Sequence, residues 1–240
     1  MDAVGAGKGA AGTGVGLVGD GSVGIRDYAE ADEAAWLACW GQVVVTSHAW
    51  GLAYQKKPRY ERTAVDLVAV EGKLPNLIIG FIDIEIENDP AELGFLRDSR
   101  CGFVWELGLL PGFRGRGLGR ALIEAAAERL RGHGLQRMEF WSMDEGAQRF
   151  YERLGMAEMN RHWRFWARPA AGSPPLAADV TAGLPPWTLG VNTAGIPSLR
   201  VELVHATASV ADWPRVSREC QVIQTPPHEP HLCRGFDYRF

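Results

Sequence analysis

The sequence contains no run of about 18 apolar residues, so nothing in it reads as a membrane-spanning helix. Cysteine is scarce: Cys39, Cys101, Cys220 and Cys233 are too few and too scattered across 240 residues for a disulfide framework, which suits a reducing cytoplasm. Outside one short arginine-bearing stretch there is no block of Lys or Arg. With a net charge of −4 and a pI near 5.9, this argues against nucleic acid and for small-molecule partners. The first 24 residues hold nine glycines and no aromatic side chain, too little apolar surface to pack, and residues 1–22 read as a flexible tail. Gly14-Val-Gly-Leu-Val-Gly19 spells the dinucleotide fingerprint, but no strand pattern leads into it and no helix pattern follows. No sustained apolar segment follows Lys8, so a signal peptide is not expected.

What the sequence does have is Gly108-Leu-Leu-Pro-Gly-Phe-Arg-Gly-Arg-Gly-Leu-Gly-Arg-Ala-Leu122. Cys101–Leu110 reads as a buried strand. Leu118, Ala121, Leu122, Ala125, Ala126 and Leu130 then recur at the spacing of an amphipathic helix. Gly115, Gly117 and Gly119 fall at the junction, where backbone N–H groups backed by the helix dipole can face a diphosphate, with Arg114, Arg116 and Arg120 adding charge. No Lys follows the glycines, which removes a nucleoside-triphosphatase loop, and Arg120 stands where a dinucleotide fingerprint needs its third Gly.

Arg114-x-x-Gly117-x-Gly119 resembles the Arg/Gln-x-x-Gly-x-Gly/Ala signature of the GCN5-related N-acetyltransferase (GNAT) superfamily. A second block agrees: Gly132 and Gly134 stop the helix, Leu135–Trp141 reads as a strand, and Ser142-Met-Asp-Glu145 has the form of a capping box. The helix that follows, Gly146-Ala-Gln-Arg-Phe-Tyr-Glu-Arg-Leu-Gly-Met156, is similar to the superfamily's Ala-x-x-Phe-Tyr-Glu-x-Leu-Gly-Phe element. The resemblance implies an α/β (α+β) fold: a mixed, mainly antiparallel central sheet flanked by helices, with a flexible N-terminal tail and a C-terminal strand-helix-strand extension.

The rest of the chain fits that order. Val23–Arg26 starts a strand, Glu30–Val45 reads as a helix, Ser47–Tyr54 as a second helical stretch, and Lys56–Tyr60 as a basic connection. Ala64–Val70 and Leu77–Glu87 read as a hairpin around Glu71-Gly72-Lys73. Asp83, Glu85 and Glu87 alternate with isoleucines, which reads as a half-buried strand showing its acidic face to water. The alternative is an acidic wall for a cationic amine, with Glu85 as a reserve base. Trp36, Trp40, Trp50 and Tyr54 read as core, or as an aromatic acceptor pocket. The expected division is 1–22 tail, 23–168 catalytic core, 169–198 Pro-rich linker, and 199–240 extension packed on the core sheet. In that extension Leu199–Ala206 and Cys233–Phe240 read as strands and Val210–Glu219 as a helix. Cys220, His228, His231 and Cys233 are zinc-ligand types, but their spacing fits no common pattern and no metal is expected.

Carried onto these positions, the resemblance implies acetyl transfer from acetyl-CoA to an amine. The cofactor would be held by Leu107, Leu109, Arg114, Gly115, Arg116, Gly117, Leu118, Gly119, Arg120 and Asp144. Its diphosphate would lie on the glycine turn and its pantetheine arm beside Val104–Leu109, with one polarising donor near Leu109. Asp144 departs from the pattern, since the superfamily usually has Asn there; an anion suits CoA less than an amide does, and the alternative is that Asp144 only caps the helix. An amine with a pKa near 10 must lose a proton before it attacks, and Glu106, the one charged residue in an apolar strand, is the candidate base. Tyr151, protonated at neutral pH, is the candidate donor to the leaving thiolate. The acceptor would be a small-molecule or peptide amine, with no nucleic acid or membrane partner and a homodimer left open. The competing class is a non-catalytic acyl-CoA-binding sensor or regulatory domain.

Overall fold

The computed structural model describes residues 16–18, 23–47, 54–72, 74–89, 91, 93–168, 204–224 and 229–240. They form one ten-stranded mixed sheet with four α-helices. The strands are β1 Gly16–Val18, β2 Val23–Asp27, β3 Ala64–Glu71, β4 Leu74–Ile86, β5 Gly102–Leu109, β6 Arg137–Ser142, β7 Ala157–Arg168, β8 Val204–Ser209, β9 Gln221–Val222 and β10 His231–Arg239. The helices are α1 Glu33–Val44, α2 Leu118–Gly132, α3 Glu145–Arg153 and α4 Trp213–Glu219. The sheet runs β1-β2-β3-β4-β5-β6-β10-β7-β8, with β9 also on β7. Every pairing is antiparallel except β5 with β6, as a strand–helix–strand crossover through α2 requires. No helix among the described residues is long and apolar enough to cross a membrane.

Several expected elements shift. The glycine-rich segment read as a tail contributes β1, whose backbone pairs with Val23–Ile25; a ladder of main-chain hydrogen bonds needs no apolar side chain. β4 starts at Leu74 and pairs directly with Glu71, so the hairpin is tighter than the charged residues around Gly72 suggested. The capping box at Ser142 does not form. Asp144 is the N-cap of α3, its Oδ1 accepting from Ala147 N at 2.8 Å, while Ser142 Oγ accepts from Asp144 N. Pro214 lies in the first turn of α4, where a missing N–H costs nothing. The proposed helical stretch 47–54, the 169–198 linker, and Trp50 and His228 fall wholly or mostly outside the described residues.

Two features shape the site. β5 pairs with β6 only at Gly102 and Phe103, opposite Met138 and Glu139, and then diverges, leaving one edge of β5 without a ladder from Val104 onward. Against β4, the pairs Asp83–Glu106 and Ile84–Val104 leave Trp105 as an extra residue, a bulge that bends β5 where it leaves β6.

The sheet buries both faces. A Cβ on Gly102 would meet Leu130 of α2, and one on Gly108 would meet Val43 of α1, so the two helices cover opposite sides. Ile82, Ile84, Leu107, Met138 and Phe140 lie on the α2 face, and α3 is on that side too, since Gly119 of α2 abuts Phe150. Asp83, Glu85, Glu106 and Glu139 lie on the α1 face.

Candidate active site

The turn between β5 and α2 is built from backbone. Gly115 and Gly117 sit at φ +76° and +79°, and a Cβ on either would meet nothing within 4 Å. These positions need glycine for conformation, and the space beside them is open. No side chain caps α2, so its first N–H groups lack an intrahelical acceptor. Gly119 serves a different purpose: a Cβ there would lie 3.0 Å from the Phe150 ring, so its smallness lets α2 and α3 pack. Arg114, exposed, bends back along the surface, donating from Nε to Leu109 O (3.0 Å) and from Nη2 to Thr46 Oγ1 (3.0 Å), which ties the turn to β5 and to the chain just past α1. Arg116 stacks over Phe113, and Arg120 lies 3.6 Å from Glu124 with both side chains exposed. Leu118 is buried in the core, and Leu107 and Leu109 are half-buried along the free edge of β5.

Glu106 lies beyond the bulge on the α1 face. Its Oε1 accepts from Tyr54 Oη at 3.2 Å. Burial pushes its carboxyl above the usual range, against the opposing pull of Trp40, Tyr54 and Lys57. Tyr54 packs tilted against Trp40, and Trp40 stacks with Trp36. Both tryptophans are buried, so at these two positions the core reading holds, with Trp40 as well as Tyr54 bearing on the candidate base.

The acidic residues of β4 do not face water as their alternation suggested. Asp83, Glu85 and, just past the end of β4, Glu87 are all buried, because α1, the chain from Tyr54 to Arg62 and the 93–101 loop cover that side of the sheet, and each has a partner there. Lys57 Nζ is 3.1 Å from Asp83. Glu85 accepts from Arg62 (3.2 Å) and from Trp105 Nε1 (2.9 Å). Glu87 accepts the backbone N–H groups of Leu93, Gly94 and Cys101 at 2.6, 2.8 and 3.1 Å. Further along the same face Glu139 takes those of Phe95 and Leu96, and Arg137 binds Glu139, Asp237 and the carbonyls of Leu96 and Ser99. This clamp holds the 93–101 loop where β5 and β6 meet, before they part.

Tyr151 is on the other face, packed against Phe140, Phe150 and Phe236 and almost wholly buried. Burial first, and the Asp144 carboxylate second, push its phenol up, so it holds its proton at any physiological pH. Glu106 and Tyr151 therefore do not share a face. They flank the divergence of β5 from β6 from opposite sides. Sequence reasoning missed Lys57 as the cation among buried acids; the signal available was the run of carboxylates on β4, which needed a partner once buried. Among the described residues no group of three or more His, Cys, Asp or Glu is arranged to hold a metal ion.

Residues 25–156 match the family model described as the Acetyltransferase (GNAT) family. A mycothiol acetyltransferase of Beutenbergia cavernae is 31% identical over 145 residues, covering 57% of this chain and 45% of that protein. The chain thus aligns with less than half of that relative's length. Among solved structures, the GNAT domain of S. lividans PAT is 12% identical at a TM-score of 0.48, covering 82% of this chain and 96% of that one. The PaiA N-acetyltransferase of Thermoplasma acidophilum, solved in complex with coenzyme A, is 14% identical at a TM-score of 0.45, covering 58% and 92%.

Proposed function

The chain belongs to the acetyltransferase (GNAT) family, and from that premise we propose that it moves an acetyl group from acetyl-CoA to an amine acceptor. The observation that carries this reading is the uncapped N-terminus of α2, reached through two left-handed glycines with open space beside them, next to a strand edge left free by the parting of β5 and β6. The turn amides from Gly115 to Arg120 would take the diphosphate, with Arg116 and Arg120 as exposed counter-charges and Arg114 holding the turn in shape. The free edge of β5 at Leu107 and Leu109 would align the pantetheine arm. Bound there, acetyl-CoA supplies a thioester carbonyl.

Glu106 takes a proton from the acceptor ammonium, and the freed amine attacks the carbonyl carbon. The carbon–sulfur bond then breaks, the attacking nitrogen gives its second proton to solvent, and Tyr151 protonates the sulfur and regains a proton from solvent. A carboxylate pushed up by burial is a stronger base near neutrality, and a phenol pushed up stays loaded with its proton, so each shift suits its role. Asp144, engaged at the N-terminus of α3, acts through Tyr151 more than on the cofactor. The test is CoA release over a panel of small amines, amino acids, peptides and the acceptor of mycothiol acetyltransferase, alongside CoA binding by calorimetry. Gly117→Val, which forces a branched side chain into a left-handed residue, should abolish CoA binding. Binding that survives this change would remove the glycine turn from the cofactor site.

A further inference from the structure

On the α1 face the register sets three carboxyl groups side by side: Asp66 on β3, Asp83 on β4 and Glu106 on β5. One cation answers them. Lys57 Nζ lies 3.0 Å from Asp66 Oδ2 and 3.1 Å from Asp83 Oδ2, boxed by the rings of Tyr28, Trp36 and Tyr60 at 5.1–5.4 Å. The other groups facing the row are accounted for. Tyr54 donates to Glu106, Glu33 accepts the backbone N–H of Lys57, and Glu85 next along β4 is paired with Arg62. Asp83 has no exposed surface, and neither of its oxygens makes a hydrogen bond beyond the Lys57 ion pair among the described residues. Fully ionised, the row would hold two uncompensated negative charges, with Asp83 at its centre wholly cut off from water. Adjacent buried carboxyls avoid this by keeping a proton. Burial, opposed by Lys57 and reinforced by Asp66 and Glu106, pushes Asp83 up to about 8.

We propose that Asp83 and Lys57 are positioning residues for Glu106: Asp83 carries the proton of the row, Lys57 neutralises Asp66, and Glu106, at the end beside the gap, is the carboxyl left ionised. This rests on reading Glu106 as the base. An ionised Asp83 beside it would hold Glu106 protonated and unable to accept a proton from the amine.

The experiment is a carboxyl ¹³C NMR titration of the full chain, with no CoA or acceptor added, for wild type, Asp83→Asn, Lys57→Met and Lys57→Arg. The Asp83 signal should titrate above pH 7 and vanish in Asp83→Asn. Asp83→Asn should leave the Glu106 midpoint nearly in place, because it replaces a group that is already neutral. Lys57→Met should raise the Glu106 midpoint by about one pH unit, and Lys57→Arg should restore it. The acid limb of kcat/KM should move with it, with the rate recovering at higher pH as a folding defect would not allow. An Asp83 signal that titrates near pH 4, with Asp83→Asn pulling the Glu106 midpoint down, would overturn the proposal. If Lys57→Met does not fold, Asp83→Asn decides by itself. Failure of the acyl-transfer reading registers separately, as no CoA release with any acceptor.

Discussion

The two faces of this sheet are both buried, yet they are built from opposite materials. Under α2 and α3 the sheet's side chains are Ile82, Ile84, Leu107, Met138, Phe140 and Phe236, with no charge among them. Under α1, the 54–62 connection and the 93–101 loop the opposite face presents Asp66, Asp83, Glu85, Glu106, Arg137 and Glu139, with Glu87 just past the end of β4. A dry apolar face stabilises the fold in proportion to the area it removes from water, whereas a buried charged face costs desolvation and is kept only where pairing or chemistry repays it. On this view the α2 face holds the sheet together and the α1 face gives it a reactive surface.

That division can be broken by experiment. The largest effect is expected on the charged face. Glu106→Gln should lower kcat/KM by about 10²–10⁴ while leaving thermal stability close to wild type. Near-normal turnover would return the base to Glu85 and show that Glu106 is one more compensated acid. On the dry face the converse is expected: Leu122→Ala, at a fully buried position, should cost about 2–5 kcal/mol of stability with kcat largely kept, measured by urea unfolding. A smaller kinetic effect should come from Tyr151→Phe, which keeps the ring packing and removes only the proton, so turnover should slow while CoA affinity stays nearly intact.

The smallest effect sharpens the comparison through pH. His162, buried and held down to about 4, stays neutral in the folded chain where the unfolded chain binds a proton, so between pH 4 and 6.5 it makes stability rise with pH. Asp83 works in the opposite sense. Held up to about 8, it keeps a proton that the unfolded chain has lost, so stability falls as pH rises from about 4 to about 8. Above pH 6.5 only the Asp83 slope remains of these two. A declining Tm from pH 6.5 to 8.5 that Asp83→Asn flattens is the expected outcome, and an unchanged slope in that variant would assign the decline elsewhere.

Much of the dry face was legible in the sequence. The period of α2, the glycine stops and the order of strands are local signals, and each fell close to where periodicity placed it. The charged face was misread for a physical reason. Alternation tells which residues share a side of a strand, but not whether that side meets water. The cover comes from α1 and Tyr54–Arg62, and only the chain's return across the sheet brings Lys57 against Asp83. The cap of α3 was left between Ser142, through the capping-box pattern, and Asp144; both are good N-cap residues two positions apart, and backbone geometry decides for Asp144. The bulge at Trp105 has no sequence signature and exists only in the register of two strands.

The place of β10 has a consequence for how the chain comes into being. This strand lies between β6 and β7, yet it is synthesised some 90 residues after β6. A growing chain can assemble β1 to β6 and α2 early, but β6 then waits with an open hydrogen-bonding edge, and β7 and β8 have nowhere to dock until residues 231–239 emerge. During that interval the edge is a template for another chain's strand. Slow or interrupted translation between Arg168 and His231 should therefore favour aggregation over a merely late fold.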